Sequence, residues 1–396
     1  MKLEITVAER QERCDRLLEH LQQRDLAGVT LFGRDYILYY AGFDFIPTER
    51  PIAFVMNSAG ERALFVPRLE LEHARGEADV ERVAHYDEYP DKVHPLQQMA
   101  ALLADMGVQG ETGGDGDGYP WIFGYRGPAL SDVADVVLRD VRPFIEDSMA
   151  VKSPAEMNCI RESCRWGNLA HQLLQDYTRV GASETEVEMR ASNEATLAMY
   201  AAIGPVYRAQ GGFSGSGAHA GYRGQIGRNA AIPHAIANNI RFQAGDVLVT
   251  GASATVWGYH SELERTMFLG EPNDACKRLF DHMVALQDAA IGAMEPGAPC
   301  SRVDGVVLEY FRQHDLMSHW RHHSGHTIGL RYHEGPFLDF GDDTPMLPGM
   351  VFTVEPGLYD AALGGFRHSD TVAVTEEGVE VMTYYPRDLT SLTIPQ

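Results

Sequence analysis

Basic residues and cysteines are scarce in this chain, and long uncharged hydrophobic runs are missing. Its 396 residues include 33 lysines and arginines against 56 aspartates and glutamates, which gives a formal net charge of −23. This balance excludes a broad basic face, so we expect neither nucleic acid nor an anionic membrane as a partner. With 44% hydrophobic and 22% charged residues, the composition is that of a globular protein and excludes disorder.

The five cysteines are scattered and include no C-x-x-C pair. This argues against a disulfide framework and against a thiolate zinc site. The N-terminal stretch MKLEITVAERQERCDRLLEH is charged and amphipathic from its start, unlike a signal peptide. No window approaches the roughly 18 uncharged apolar residues of a membrane-spanning helix. We therefore expect a cytoplasmic protein.

The first part of the chain alternates helical and strand patterns. Residues 7–22 carry apolar side chains at helical spacing, and GVTLFG, PIAFVMN and RALFVP are typical of short buried strands. A second helix is predicted across HPLQQMAALLADMG, whereas the glycine-rich GETGGDGDGYP at 110–120 is interpreted as a connection between strands. The alternation predicts an α/β layer domain, which we place at residues 1–150.

A helix start marks the beginning of a second domain. In Ser153-Pro154-Ala155-Glu156, serine stands at the cap, proline at the first helical position and glutamate at the third. Farther along, a helix ending in RVGASETEVE is echoed by one ending in MEPGAPCSRVDGV, which is a weak internal repeat. The repeat predicts two related halves within residues 151–396, with a functional site in the cleft between them.

Polar residues with catalytic potential are concentrated between positions 234 and 370. Taken singly, each has a simpler explanation, such as a surface histidine or a glutamate that stabilises a turn. Together, carboxylates and imidazoles at the ends of consecutive strands would converge at one cleft, as acid-base or metal chemistry requires. The candidates are His234, Glu262, Glu264, His322, His323, His326, His333, Glu355, Arg367, His368 and Asp370.

An ordered series of motifs carries a family resemblance. The series PHAIAN, GDVLV, GYHSELERT, SGHTIGLRYHEGP, PGMVFTVEPGLY and FRHSDTVAVTEEG is similar to the creatinase / prolidase / aminopeptidase P family. DYILYYAGFDFIPTERPIAFVM resembles the creatinase N-terminal domain, so the likeness covers essentially the whole chain. The resemblance implies a creatinase-like N-terminal α/β domain at 1–150, followed by a pita-bread α+β catalytic domain with pseudo-twofold halves at 151–396.

The departures from the family pattern concern its metal ligands. The resemblance implies two metal ions held by Asp, Asp, His, Glu and Glu. The corresponding positions here are occupied by Gly251, Glu262, His326, Glu355 and Ser369. Because Gly251 and Ser369 remove two carboxylates, we expect no dinuclear site. Glu262, His326 and Glu355 remain as a possible three-ligand site for one divalent ion.

Creatinase, a metal-independent member of the family, supplies the main functional hypothesis. ELERT resembles its ALERT motif, so the resemblance implies that Glu264 and Glu355 bind a cationic centre and that His234 is the general base and acid. His326 and His333 would orient the substrate or stabilise the tetrahedral intermediate. We therefore predict a hydrolase without metal or cofactor that cleaves a C–N bond in a small cationic guanidino or amidine compound. Creatine-like acids and ectoine are both candidates.

Further residues are predicted to contact the substrate. Arg50 matches a creatinase N-domain arginine that reaches the neighbouring subunit's substrate, which implies a homodimer. The glycine-rich segment at 211–229 departs from creatinase and is expected to shape the pocket. His368 lies beside Ser369, where creatinase has a histidine, although a shift of one residue on a strand reverses the face. The predicted substrate-binding residues are Arg50, Tyr259, Glu262, His333 and His368.

Two alternatives remain open. The first is a mononuclear metal-dependent Xaa-Pro dipeptidase or aminopeptidase that uses Glu262, His326 and Glu355. The second is a non-catalytic binding module on the same fold. Elemental analysis combined with activity after chelation separates the first alternative from the metal-independent hydrolase.

Overall fold

The computed structural model describes residues 3–204 and 217–396, which form two compact units. One unit spans Ile5–Ser148. The other contains residues 3–4 and the described residues from Met149 onward. Of the glycine-rich segment predicted at 211–229 to shape a pocket, residues 211–216 lie outside the described residues.

The N-terminal unit is built on a mixed six-stranded sheet of order β4-β3-β2-β1-β5-β6. The pairs β1–β2 and β2–β3 are antiparallel, whereas β3–β4, β1–β5 and β5–β6 are parallel. The helices in this part of the chain are α1 (Val7–Gln23), α2 (Arg34–Ala41), α3 (Leu71–Glu77), α4 (Pro95–Asp105) and α5 (Arg142–Ala150), and the strands are β1 (Gly28–Leu31), β2 (Ala53–Asn57), β3 (Arg62–Pro67), β4 (Arg82–Tyr86), β5 (Gly110–Gly114) and β6 (Val136–Asp140).

Helix α4 shows how the local sequence determines where a helix of this unit starts and which side chains it buries. His94 caps its first turn in a capping box with Gln97, and Pro95 occupies the first position, where its missing N–H costs nothing. Its buried Leu96, Met99 and Leu103 then pack into one core with side chains from β2 and β3. Burial of side chains of this size stabilises by about 1.5–3 kcal/mol each. The helices and strands predicted for this region are therefore confirmed.

One prediction in this unit is wrong in part. The first half of the glycine-rich stretch at 110–120 is strand β5 instead of a connection. Its backbone pairs with β1 on one side and β6 on the other. A Cβ at Gly113 would lie 2.9 Å from Val141 Cγ1, so close packing requires glycine there.

In its described residues, the second unit contains two helix pairs and four small sheets. The largest sheet has the order β12-β11-β13-β16-β17 and is antiparallel throughout, and the others are β18-β10-β8, β14-β15 and β7-β9. Its elements are α6 (Pro154–Tyr177), α7 (Glu184–Ile203), β7 (Ala218–Gly221), β8 (Val247–Val249), β9 (Gly251–Ala254), β10 (Thr266–Leu269), α8 (Asp274–Ala293), α9 (Ser301–Gln313), β11 (Gly325–Thr327), β12 (Glu334–Leu338), β13 (Val351–Val354), β14 (Gly357–Asp360), β15 (Gly364–Arg367), β16 (Asp370–Val374), β17 (Val379–Val381) and β18 (Thr393–Ile394).

The helix start predicted at Ser153 is confirmed. Its hydroxyl accepts from the Glu156 N–H at 3.2 Å, and the Glu156 carboxylate accepts from the Ser153 N–H at 2.7 Å. Helix α6 packs on α7, and α8 packs on α9, so a helix pair recurs as the weak repeat predicted. Within the described residues, no helix combines the length and apolarity needed to cross a membrane.

Candidate metal centre

Three segments of the second unit bring two carboxylates and one imidazole together. Glu262 lies in the extended segment that leads into β10, His326 is in the middle of β11, and Glu355 directly follows β13. One potential ligand atom from each lies within 4.8 Å of the other two. Among residues 3–204 and 217–396, no other group of three such side chains meets this condition. The sequence-based expectation that these residues converge is therefore confirmed.

The hydrogen bonds of His326 present one ring nitrogen to the cluster. Nδ1 lies 2.9 Å from the carbonyl oxygen of Thr327, and because a carbonyl only accepts, Nδ1 carries a proton. Nε2 is buried, has no hydrogen-bond partner among the described residues, and lies 3.3 Å from Glu355 Oε1. A histidine held through one nitrogen with the other directed at carboxylates is the usual arrangement of a metal ligand.

Glu262 is fixed from two sides. Its backbone N–H donates to Thr371 Oγ1 at 2.8 Å, and its Oε1 accepts from the Ser369 hydroxyl at 2.7 Å. Burial, together with the negative charges of Glu355 and Glu264, raises the pKa of Glu262 to about 8. A positive charge placed in the cluster would therefore relieve an electrostatic cost already present in the protein.

The pKa values of the other two members shift in opposite directions. Burial lowers the pKa of His326, but attraction to Glu355 and Glu262 outweighs it and raises the value to about 9. Burial raises the pKa of Glu355, yet His326 and Arg367 lower it well below its usual range. The donor set of one imidazole nitrogen and two carboxylates therefore fits one divalent cation, whose binding would displace the proton held by His326.

Two more histidines lie beside the cluster. The exposed His333 ring stacks on His326, with 3.9 Å between ring centroids and 18° between planes. Partial removal of the His333 ring from water and the positive charge of His326 lower the pKa of His333, and His234 contributes in the same direction. His234 is itself exposed. Both predicted residues are thus near the three potential ligands and reachable from solvent.

Glu264 does not face the cluster as a free carboxylate. Its side chain is 3% exposed and accepts from both Nε and Nη2 of Arg367, the latter at 2.7 Å. Arg223 Nη2 donates to the same carboxylate at 2.8 Å. The predicted binding of a cationic substrate by Glu264 is contradicted, because two guanidinium groups already balance its charge. Glu355 also lies 3.8 Å from Arg367 Nε.

The residues at the two departures from the family pattern do not fit a second cation. Gly251 offers no side-chain donor, and a Cβ there would meet Glu264 Oε1 at 3.6 Å and Arg223 Nε at 3.9 Å. Ser369 already donates its hydroxyl proton to Glu262. Arg223 and Arg367 repel a further positive charge, so these side chains can bind one ion and not two.

The remaining predicted contacts lie elsewhere. The Tyr259 hydroxyl is buried and donates to Glu156 Oε1 at 2.5 Å. His368 is fully buried against Phe280, with their rings at 83° and their centroids 5.4 Å apart. Arg50 belongs to the N-terminal unit, where it pairs with Glu49 and Glu88. The structure therefore does not bring Tyr259 and His368 into the cluster.

The buried histidines predict a loss of stability in acid. Burial, with the positive charges of Arg265 and Arg387 and the nearby His171, lowers the pKa of His368 well below 6.5. Burial also lowers the pKa of His171 to about 3. At these two histidines the unfolded chain therefore binds more protons below pH 6.5, so their contribution to stability is constant above that pH and decreases below it. We expect His368→Leu to reduce the slope of unfolding free energy, measured by urea titration from pH 6.5 to 4.5, by about 1.4 kcal/mol per pH unit.

The control for this experiment is an exposed histidine. His85 lies exposed on β4, so His85→Leu should leave the slope of the parent protein unchanged. Equal slopes for His368→Leu and the parent protein would show that His368 is not neutral in the folded state.

Sequence reasoning missed two side chains near the cluster. Arg223 reaches Glu264 from the segment that follows β7, and nothing in its surroundings distinguished it from a surface arginine. Tyr332 is 39% exposed and lies within electrostatic range of Glu262, Glu264 and Arg223, and partial removal of its hydroxyl from water is the largest of the effects that raise its pKa. Its place next to His333 in the RYHEGP motif was a usable signal.

Comparisons with known proteins agree with this geometry. The model of metallopeptidase family M24 matches residues 158–376, and that of the creatinase/prolidase N-terminal domain matches residues 13–121. These matches confirm the predicted creatinase-like N-terminal domain and pita-bread catalytic domain.

Similar proteins cover nearly the whole chain. A Xaa-Pro dipeptidase from Pyrococcus furiosus is 25% identical over 96% of this chain and 99% of its own length. A probable dipeptidase PepE from Mycobacterium tuberculosis is 27% identical, with 92% of each chain covered. The solved Xaa-Pro dipeptidase from Bacillus anthracis has a TM-score of 0.79 at 23% identity and covers 99% of this chain and 100% of its own.

These findings overturn the main functional hypothesis. A metal-independent, creatinase-like hydrolase of cationic guanidino or amidine compounds was predicted, but the matching model describes metallopeptidases and the similar proteins are named Xaa-Pro dipeptidases, prolidases and PepE. The prediction gave too much weight to the two missing carboxylates and too little to the three ligands that remain. The chain belongs to metallopeptidase family M24.

Proposed function

We propose that this protein is a hydrolase that cleaves the amide bond of a small Xaa-Pro dipeptide with one divalent metal ion. Glu262, His326 and Glu355 would hold the ion. The observation that carries the proposal is the convergence of their ligand atoms within 4.8 Å, with His326 Nε2 lacking a hydrogen-bond partner among the described residues. The names of the similar proteins support the choice of substrate.

The three proposed ligands match the charge and the coordination needs of one divalent ion. A bound divalent ion polarises a substrate carbonyl and lowers the pKa of water to near neutrality. The charges of Glu262 and Glu355 balance such an ion, and Thr327 keeps the Nδ1 proton of His326 away from the ligand nitrogen. Three protein ligands leave one position for water or substrate, as is typical of catalytic sites.

The two exposed histidines complete the proposal. His333 lies flat against His326, so a substrate next to the cluster would contact its ring. His234 interacts electrostatically with His333 from a solvent-exposed position. We assign to His333 the orientation of the substrate and to His234 the exchange of a proton with solvent, for which an imidazole is suited near pH 7.

Metal content tests the proposal directly. Purified protein incubated with excess Mn²⁺, Co²⁺ or Zn²⁺ and then desalted is expected to retain one equivalent per chain by elemental analysis. Xaa-Pro cleavage should disappear after dialysis against a chelator and return when the ion is restored. Two retained equivalents, or full turnover after the metal has been removed, would contradict a one-ion hydrolase.

The homodimer stays a prediction of the resemblance. Arg50 would contact a substrate only if its N-terminal domain reached the site of the neighbouring subunit. In this structure Arg50 pairs with Glu49 and Glu88 of its own unit. Sedimentation equilibrium of the full chain decides the oligomeric state.

A further inference from the structure

Lys152 and Glu334 form a buried ion pair that the proposed mechanism has not used. Lys152 Nζ donates to Glu334 Oε2 at 2.9 Å, and the two side chains are 1% and 7% exposed. Both residues belong to the second unit, although 182 positions separate them in the chain. Taking two charges out of water offsets most of their mutual attraction, so a buried ion pair is weak evidence of a role in stability. Its place directly after His333 indicates a role in holding that histidine.

Glu334 lies at the end of the turn that carries His333. Thr327 of β11 pairs with Glu334 of β12, so residues 328–333 connect the two strands. The Glu334 carboxylate accepts from the Arg331 N–H with Oε1, at 3.0 Å, and from the lysine with Oε2. One carboxylate therefore ties the turn to a part of the chain outside both strands.

The backbone fixes the lysine end of the pair. Lys152 lies between α5 and α6, and its N–H donates to the Gly349 carbonyl oxygen at 2.9 Å. Val151 forms a β-bridge with Met350, which directly precedes β13. Because β13 leads directly to Glu355, the ion pair connects the turn to a strand that places one of the proposed metal ligands.

Close packing at Gly329 shows that the turn is built around the pair. A Cβ at this position would lie 2.8 Å from Glu334 Oε2 and 2.9 Å from Lys152 Cε. Only glycine lets the backbone approach both side chains so closely. The Gly329 carbonyl oxygen also accepts from the His260 N–H at 2.9 Å. The first part of the turn therefore packs on the ion pair, and its last part is bonded to it.

We infer that Lys152 and Glu334 are positioning residues, which hold the turn so that the exposed ring of His333 stays stacked on His326. The stacking, with 3.9 Å between ring centroids, is a feature of the structure. Its consequence for catalysis rests on the proposed function, in which His333 orients the substrate. Charge-assisted hydrogen bonds suit this task because they are directional and fix one geometry, whereas apolar contacts of the same volume do not.

Replacing both charges separates positioning from stability. In Lys152→Met/Glu334→Leu, apolar side chains fill the space of the pair, so the urea midpoint should equal or exceed that of the parent protein. The metal-loaded variant should nevertheless lose about 10- to 30-fold in kcat/KM for Ala-Pro, mainly through a higher KM, because the His333 ring is no longer held in place. Arg161→Met/Glu380→Leu removes a half-exposed ion pair of the same unit and should change neither quantity.

A double-mutant cycle shows whether the pair acts through His333. His333→Ala should lower kcat/KM by a similar factor, and adding Lys152→Met/Glu334→Leu to it should cause no further loss. A general structural defect would instead add to the effect of His333→Ala. Additive losses, or a parental kcat/KM without the ion pair, would overturn the inference.

NMR gives a readout without metal or turnover. In metal-free protein carrying ¹³C-labelled histidine, nuclear Overhauser contacts between the rings of His326 and His333 should be seen in the parent protein and in Arg161→Met/Glu380→Leu. They should be lost in Lys152→Met/Glu334→Leu. Contacts that persist in that variant, or that are missing from the parent protein, contradict the positioning role. If the contacts depend on the pair but the parent protein cleaves no dipeptide, the inference stands and the proposed function fails.

Discussion

His326→Ala is expected to lower kcat/KM for Xaa-Pro dipeptides by at least about 10³-fold, which corresponds to about 4 kcal/mol of lost transition-state stabilisation. His326 is the one imidazole among the three proposed ligands, and its backbone N–H is bonded to Thr353 Oγ1 at 3.1 Å. Removing the ring leaves two carboxylates, which are too few ligands to keep a divalent ion in a catalytic geometry. Elemental analysis of the desalted variant should then find less than one ion per chain.

Two comparisons separate lost metal from lost fold. Glu355→Gln preserves shape but removes a ligand charge, so it should show the same loss of metal and of activity. His314→Ala changes an exposed histidine that follows α9 and should keep activity within about twofold of the parent protein. A His326→Ala protein that still retains one equivalent of metal would refute the assignment of His326 as a ligand.

Much of the fold was predictable because the signals are local. The capping residues around Ser153 and His94 start α6 and α4 where the sequence indicates. Strand β5 was missed because glycines normally break strands, and only pairing with β1 and β6 reveals why they are tolerated. That information is non-local and was not available from the composition of residues 110–120.

The alternation of side chains along extended backbone explains why Arg367 and Ser369 contact glutamates of the site and why the prediction of His368 as a substrate-binding residue failed. Arg367 and Ser369 lie two residues apart and contact Glu264 and Glu262, whereas His368 between them is buried against Phe280. The shift of one residue relative to creatinase did reverse the face of the histidine. Sequence alone therefore contained the reason to omit His368 from the substrate-binding residues.

The partner of a carboxylate is harder to predict than its position. From the position of Glu262 in the ELERT motif, we correctly predicted that it lies near His326 and Glu355. It could not show that Glu264 is paired with Arg367 and Arg223, because the two arginines are 103 and 41 residues away. Without those contacts Glu264 was expected to bind a cationic centre, as the resemblance to creatinase implied, and that prediction was wrong.

Arg265, which directly follows Glu264, forms a buried network of hydrogen bonds that stabilises the second unit. Its side chain is fully buried, and Nη2 donates to Asp370 Oδ1 at 2.8 Å. Nη1 donates to the carbonyl oxygens of Glu264 and Ser369, so the same guanidinium joins the two segments that carry residues of the site. Asp370 also accepts from Gln287 and from Thr383.

Asp370→Ala is expected to lower the free energy of unfolding by about 3–5 kcal/mol, because it leaves the Arg265 charge buried without its counter-ion. Urea unfolding of the metal-free protein at pH 7 measures the loss. Glu295→Ala, which breaks the exposed ion pair with Arg302, should cost at most about 1 kcal/mol. A loss for Asp370→Ala no larger than this control would mean that water or rearranged carbonyl groups compensate Arg265. Because Arg265 also holds the Glu264 and Ser369 segments together, metal affinity should decrease in Asp370→Ala and stay unchanged in the control.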